Sequence, residues 1–99
     1  MEIFRIKDND TLTLVLTGEL NTSTAPDLEK LVQGSLGNIK NLIFDFGKLD
    51  YISSAGLRVL LIAQKAISGR GTIVVKNIND TVRDILDMTG FSNILTVEQ

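Results

Sequence analysis

Two adjacent serines, Ser53 and Ser54, are the residues in this sequence best placed for chemistry. They precede an amphipathic stretch that opens Ala55-Gly56-Leu57, so they lie where a helix begins and its first N–H groups lack partners within the helix. Ser54 is the better candidate for the capping residue, and no Asp or Glu follows in the first turn, although the helix dipole favours acids there. The pattern predicts a positive helix end carrying hydroxyls. Such an end can bind a phosphate, accept one covalently, or serve only as a helix cap.

Most catalytic chemistries are excluded by residues that the sequence lacks. It contains no His and no Cys, which removes imidazole-activated nucleophiles, imidazole and thiolate metal ligands, and disulfides. The spacing of a phosphate-binding P-loop is also missing. Asp45, Lys48 and Asp50 are interpreted as solvated loop charges, because two aspartates without a third ligand make a poor metal site. We therefore expect no enzyme, no catalytic residue, no metal and no cofactor of its own.

The composition is that of one small globular domain. The 99 residues are 43% hydrophobic and 22% charged, with a formal net charge of −2, which gives no electrostatic footprint for nucleic acid. The longest apolar run, Val59 to Ala63, is far too short to span a membrane, and the first residues lack the layout of a secretory signal. With no cysteine, cytoplasmic residence is the default expectation. We expect a monomer.

Hydrophobic periodicity predicts an α/β domain in the order β-β-α-β-α-β-α-β. The predicted elements are strands at 3–7 and 11–17, a helix at 25–36 closed by Gly37, a strand at 41–46 ended by Gly47, a helix to about Gly69, a strand at 72–76, a helix capped by Asn79 and ended at Gly90, and a strand at 94–97. The opening pair predicts an antiparallel hairpin, and the later alternation of strands and helices predicts a mixed, mostly parallel sheet. The strand at 41–46 lacks polar alternation, which favours cover on both faces.

The predicted second helix has two distinct faces. At about 100° per residue its core side comprises Gly56, Val59, Leu60, Ala63, Ala66 and Ile67. The opposite side carries Leu61 and Ile62 among Arg58, Gln64 and Lys65, with Leu57 at the boundary. Two interpretations remain open. A neighbouring element covers these apolar residues, or they form a protein-docking patch with a basic rim that begins one turn from Ser54.

The stretch Tyr-Ile-Ser-Ser-Ala-Gly-Leu-Arg-Val-Leu-Leu, residues 51–61, resembles the signature of the STAS domain family, which includes the bacterial anti-sigma factor antagonists. The resemblance extends to Thr-Gly-Glu-Leu-Asn at 17–21 and Leu-Asp-Met-Thr-Gly-Phe at 86–91, so it covers essentially the whole chain in the right order. It implies one STAS domain over residues 1–99, with the mixed sheet that the periodicity also predicts.

The resemblance also implies a function and a set of site residues. Aligned on Gly56-Leu57, the phosphorylated serine of the family corresponds to Ser54, with Ser53 as the alternative. Ser53 stands where the family usually has an acid, and Asn21 stands where it commonly has Asp. The implied partner is an anti-sigma factor with serine kinase activity, which would hold the ATP and Mg²⁺, together with a phosphatase that would remove the phosphate. The expected partner-binding residues are Asn21, Ser53, Ser54, Leu57, Arg58, Leu61 and Ile62.

Two other functions compete with this one. The first is a STAS scaffold or transporter-regulating subunit that is never phosphorylated. The second is a small anion-binding or nucleotide-binding domain that uses the helix end at Ser53 and Ser54.

Overall fold

The chain opens with the hairpin that its alternation predicts. β1 (Glu2–Asp8) pairs antiparallel with β2 (Thr11–Leu20). In the turn between them Asn9 has φ 56°, a left-handed conformation that Asn tolerates better than most residues. The computed structural model describes residues 1–98.

The remaining elements follow in the predicted order. They are α1 (Ala25–Ser35), β3 (Asn41–Ile52), α2 (Ser54–Ile67), β4 (Thr72–Lys76), α3 (Asp80–Thr89), a 3₁₀ turn (Phe91–Asn93) and β5 (Thr96–Glu98). The five strands form one sheet in the order β1-β2-β3-β4-β5, and every neighbouring pair except β1–β2 is parallel. The predicted mixed, mostly parallel α/β architecture is confirmed.

Two strands are longer than predicted, and this changes the surroundings of the serines. β3 does not end at Gly47 but runs on to Ile52, so the expected loop before Ser53 is strand. β2 likewise continues through Gly18 to Leu20. Two register irregularities in the β2–β3 ladder let the strands continue to pair where the sequence contains glycine. Gly18 and Gly47 therefore lie within the strands and do not terminate them.

The helices cover only one face of the sheet, so the expected cover on both faces of β3 is wrong. Along β3 Leu42, Phe44 and Phe46 are buried, whereas the residues between them, Ile43 and Asp45, are only partly buried. The buried hydrophobic residues of sheet and helices form a single core cluster. Successive right-handed crossovers between neighbouring parallel strands place every connecting helix on the same side.

The helix ends agree with the sequence in part. The side chain of Asn79 caps α3 by accepting the Val82 N–H at 2.7 Å, and Gly90 ends that helix with φ 81°. Within α2 the predicted core residue Ala66 is exposed, and Leu57 is buried in its place. The last strand begins at Thr96, not Ile94, because the N–H groups of Ile94 and Leu95 still donate to the carbonyl of Phe91 in the preceding turn.

Candidate functional site

The residues singled out by the sequence lie where β2 and β3 end, at the carboxyl edge of the sheet. The backbone N–H of Ser53 donates to the carbonyl of Leu20 at 2.8 Å, one residue beyond the ladder pair Leu20–Ile52. This bond places Asn21, the next residue after β2, beside the start of α2. Ligands of open α/β sheets bind outside the carboxyl ends of the strands, and the structure brings Asn21, Ser53 and Ser54 together there.

Asn21 organises the turn that leads into α1. Its side-chain oxygen accepts the backbone N–H groups of Ser23 at 3.0 Å and Thr24 at 3.2 Å. Its own N–H donates to Thr24 Oγ1 at 2.8 Å, and the Thr24 hydroxyl donates to the carbonyl of Glu19 at 2.9 Å. Asn21 is thus a neutral turn-forming residue at this edge, partly exposed and already hydrogen-bonded.

Ser53, not Ser54, occupies the capping position of α2, so the prediction for the cap was wrong. Ser53 has an extended backbone (φ −97°, ψ 177°), and its carbonyl accepts the first helical bond, from Leu57 N–H at 3.0 Å. The side chain makes no capping bond. Its Oγ atom is buried and has no hydrogen-bond partner among residues 1–98. The Ser53 hydroxyl is therefore sterically shielded from an approaching macromolecule.

Ser54 is the first helical residue of α2, and its side chain is exposed. Its hydroxyl forms no hydrogen bond within the described part of the chain. The first turn of α2 contains no acidic residue. A phosphate on this oxygen would meet free N–H groups and the positive end of the helix dipole without local repulsion from its own helix.

Gly56 determines how closely α2 approaches the sheet. A Cβ at this position would lie 2.7 Å from Leu20 Cγ and 2.7 Å from Ile52 Cγ1, and both neighbours are buried. Only glycine lets the first turn of the helix pack directly on the ends of β2 and β3. This packing fixes where Ser53 and Ser54 stand relative to Asn21.

The outer face of α2 is only partly as predicted. Leu57, expected at its boundary, is 7% exposed and belongs to the core. Leu61 and Ile62 are partly buried and retain accessible surface. Arg58 is exposed, and its Nη1 lies 3.4 Å from Glu29 Oε1 of α1. We call Ser54, Arg58, Leu61 and Ile62 the α2 face.

Glu29 is a member of the site that the sequence reasoning missed. Its contact with Arg58 joins α1 to α2 across 29 residues of sequence, and no local pattern predicts such a pairing. Because the Arg58 side chain is 71% exposed, the pair contributes little to stability. The contact with Glu29 instead orients the guanidinium of Arg58, which lies one helical turn from Ser54.

The acidic residues predicted to be solvated loop charges lie in β3 and not in a loop. Asp45 Oδ1 accepts Asn77 Nδ2 at 3.0 Å and the Gly47 N–H at 3.0 Å. The Asn77 bond is the main reason that the pKa of Asp45 lies below its usual value, with smaller contributions from the Gly47 N–H, Lys76 and Lys48, while partial burial opposes the shift. Within residues 1–98 no three acidic, histidine or cysteine side chains are grouped as a metal site would require.

Comparison with known proteins identifies the family. The model of the STAS domain matches residues 4–99. The chain belongs to the STAS domain family. A Bordetella bronchiseptica protein named "Putative anti-sigma factor antagonist BtrV" is 33% identical over 99 residues, covering 98% of this chain and 85% of that protein. The resemblance seen in the sequence is confirmed.

Solved structures agree with this STAS fold. An anti-sigma factor antagonist from Mycobacterium paratuberculosis superimposes with a TM-score of 0.89 at 17% identity, covering 98% of this chain and 84% of that one. The phosphorylated form of the Bacillus cell fate determinant SpoIIAA gives a TM-score of 0.78 at 17% identity, covering 99% and 92%. At these identities the likeness concerns the fold. Among residues 1–98, no helix of this STAS domain has the length and apolar character needed to cross a membrane.

Proposed function

We propose that this STAS domain is an anti-sigma factor antagonist that acts in the cytoplasm. It binds an anti-sigma factor with serine kinase activity, so that a sigma factor is released, and it is inactivated when that kinase phosphorylates Ser54. A phosphatase reverses the modification. The protein itself is a binding module and not an enzyme. Its family membership and its 33% identity to a protein named "Putative anti-sigma factor antagonist BtrV" support the class of function.

One observation carries the choice of phosphorylated residue, namely the contrast between the two serines. The Ser54 hydroxyl is exposed at the first position of α2, whereas the Ser53 Oγ is buried. A kinase must bring its catalytic groups and the γ-phosphate of ATP to the acceptor oxygen. Without local unfolding of the helix start, only Ser54 is open to that approach.

The α2 face, together with Asn21 and the backbone at Ser53, is the proposed docking surface for the anti-sigma factor. Leu61 and Ile62 supply apolar area beside the exposed Arg58, and the whole surface adjoins the hydroxyl that is modified. We leave Leu57 out of the proposed surface because only 7% of it is exposed. A phosphate on Ser54 adds about −1.5 to −2 charges at one end of this surface.

The phosphate would also affect the pairing of Arg58. Positions four apart on a helix lie on the same face, so a phosphate on Ser54 competes with Glu29 for the guanidinium of Arg58. The phosphate on Ser54 and the reoriented Arg58 side chain then lie within the surface that the partner must contact. Like-charge contact across an interface costs several kcal/mol, and about 2.8 kcal/mol corresponds to a hundredfold loss of affinity.

The test combines phosphorylation with binding, using the anti-sigma kinase of the source organism. We expect one phosphate per chain on wild type and on Ser53→Ala, none on Ser54→Ala, and at least a hundredfold weaker binding for Ser54→Asp. Leu61→Asp should weaken binding with little change in melting temperature, because the side chain is only partly buried. Lys48→Asp, away from α2, is the matched control and should bind normally.

Each competing function has its own outcome. Modification of Ser53 but not Ser54 would contradict the assignment of the acceptor. Normal anti-sigma binding without modification of either serine would support the unphosphorylated STAS scaffold or transporter-regulating subunit. Stoichiometric ATP binding by the isolated chain in equilibrium dialysis would support the nucleotide-binding domain.

A further inference from the structure

The second half of β1 has apolar side chains on the uncovered side of the sheet and cations on the helix-covered side. Phe4 and Ile6 face the uncovered side of the sheet, where they are 67% and 49% exposed. Arg5 and Lys7 point to the helix-covered side, because their register partners in β2 are buried leucines. Ile3 shares that side and packs against the core, so the register that buries Ile3 also brings Arg5 and Lys7, which remain exposed, to the helix-covered side. β1 therefore presents two exposed cations on the same side of the sheet as the helices.

A cavity of about 470 Å³ lies on that side, between β1 and the carboxyl end of α1. This volume is within the range of small-molecule sites. Its lining consists of Arg5, Lys7, Leu12, Gly34, Ser35, Gly37, Asn38 and Ile39. The lining includes two cations, two neutral polar side chains and two buried apolar ones, and no acid. Neither cation forms a hydrogen bond or ion pair with any of residues 1–98.

Two glycines of the lining have no packing role. A Cβ added at Gly34 or Gly37 would meet nothing within 4 Å. Gly34 lies inside α1, where glycine is a poor helix former compared with alanine. Neither position has a left-handed backbone. Their effect is to leave the wall of the cavity open.

The negative end of α1 does not cancel the charge of the cavity. The carbonyl of Leu36 accepts Arg70 Nη2 at 2.6 Å, and that of Gly37 accepts Arg70 Nη1 at 3.2 Å. The guanidinium of Arg70, which follows α2, thus already binds the two carbonyls directly after the end of α1. These carbonyls are therefore already paired, and the lining of the cavity carries two cations and no acid.

We propose that this cavity binds a phosphomonoester with a small apolar body. Residues two apart on a strand lie about 7 Å apart on one face, so Arg5 and Lys7 can hold a phosphate between them. Two cations match the charge of a phosphomonoester dianion better than that of a singly charged carboxylate. Ser35 and Asn38 can donate to the remaining phosphate oxygens, and Leu12 and Ile39 form an apolar floor for the body of the ligand.

A different explanation predicts no ligand at all. Inward-pointing charges on an edge strand are a known protection against edge-to-edge aggregation. Charge alone would be sufficient for that role, and the cavity and its two glycines would be irrelevant. The two explanations therefore differ in whether a ligand binds and in whether filling the cavity matters.

The experiment is an NMR titration of the uniformly ¹⁵N-labelled 99-residue chain with phenyl phosphate. We expect saturable shifts in β1 and at residues 34–39, with a dissociation constant on the order of 1 mM. Inorganic phosphate, phenol and benzoate should each bind at least about tenfold more weakly. Arg5→Gln with Lys7→Gln should weaken binding at least tenfold, whereas Lys48→Gln with Lys65→Gln, the same change of net charge elsewhere, should have less than a twofold effect.

A second variant keeps the test decisive if the double substitution causes aggregation. Gly34→Leu adds a side chain at the cavity wall without changing charge, and it should abolish the shifts while the helix remains folded. Absence of saturable shifts, equal binding by either variant, or shifts confined to residues 53–55 would overturn the proposal. Aggregation of the double variant together with unchanged phenyl phosphate binding by Gly34→Leu would establish edge protection instead.

Discussion

Replacing Gly56 by alanine tests the packing that positions the candidate site. The added Cβ would lie 2.7 Å from Leu20 Cγ, 2.9 Å from Leu20 Cδ2 and 2.7 Å from Ile52 Cγ1. Favourable contacts between carbon atoms are about 3.5–4.0 Å, so each approach is too short by about 1 Å. Leu20 and Ile52 are 0% and 1% exposed, which leaves them no solvent-facing space into which to move. The helix start, or both strand ends, must therefore shift.

The expected cost follows from two opposing terms. Forcing an extra methyl group into a packed core typically costs about 1–3 kcal/mol. Alanine recovers about 0.5–1 kcal/mol over glycine in a helix, and less in the first turn. The net destabilisation is about 1–2 kcal/mol. This corresponds to a urea midpoint lower by about 1–2 M for a slope near 1 kcal/mol/M.

Gly34→Ala is the matched control for this measurement. It is the same substitution inside a helix, but its Cβ would meet open space. It should raise the urea midpoint, by up to about 1 M. Urea unfolding of both variants, followed by circular dichroism, compares the two effects directly. A Gly56→Ala protein as stable as wild type would refute the argument that close packing requires this glycine.

Two further predictions concern other polar contacts. Asn79→Ala removes both the cap on Val82 N–H and the hydrogen bond from Asn79 Nδ2 to the Leu49 carbonyl. It should lower the free energy of unfolding by about 1–2 kcal/mol in the same urea assay. No change would contradict the capping role. Asn77→Gly should move the pKa of Asp45 up towards the ordinary value of an aspartate in an NMR titration, because it removes the Asn77 hydrogen bond. Because the folded-state pKa is lowered, the stabilisation from Asp45 is present above its unfolded-state pKa and is lost as the pH falls through the folded-state value, so Asn77→Gly should weaken this acid dependence.

The sequence predicted the element order because its local signals are strong. The hairpin has leucine alternation, and Asn79 and Gly90 mark the two ends of α3. The extent of β2 and β3 could not be predicted in the same way. Glycines such as Gly18 and Gly47 often end a strand, yet β2 and β3 continue to pair with each other beyond both positions. The length of both strands therefore depends on the pairing between segments distant in sequence. Local propensity gives no information about such a pairing.

The faces of the elements were harder to predict than the elements themselves. Leu57 was placed at the boundary of α2 by helical periodicity, but the helix packs so closely at Gly56 that Leu57 is buried as well. The apolar run in β3 predicted cover on two sides, whereas the crossovers place every helix on one. Periodicity predicts the direction in which a side chain points from the axis of its helix or strand. It does not predict how closely that helix or strand packs against the rest of the core.

The closeness of this packing is also what distinguishes the two serines. By sequence they are adjacent hydroxyls at one helix start, and the apolar period wrongly favoured Ser54 as the cap. Seating α2 on Leu20 and Ile52 draws the backbone of Ser53 into a bond with the sheet and buries its Oγ, while Ser54 is left on the exposed first turn. If Gly56 controls the seating, then Gly56→Ala should not only destabilise the domain but also change the accessibility of both hydroxyls. Gly56 and the proposed phosphorylation site at Ser54 are thus coupled through the position of α2 on the sheet, without a direct contact between the two residues.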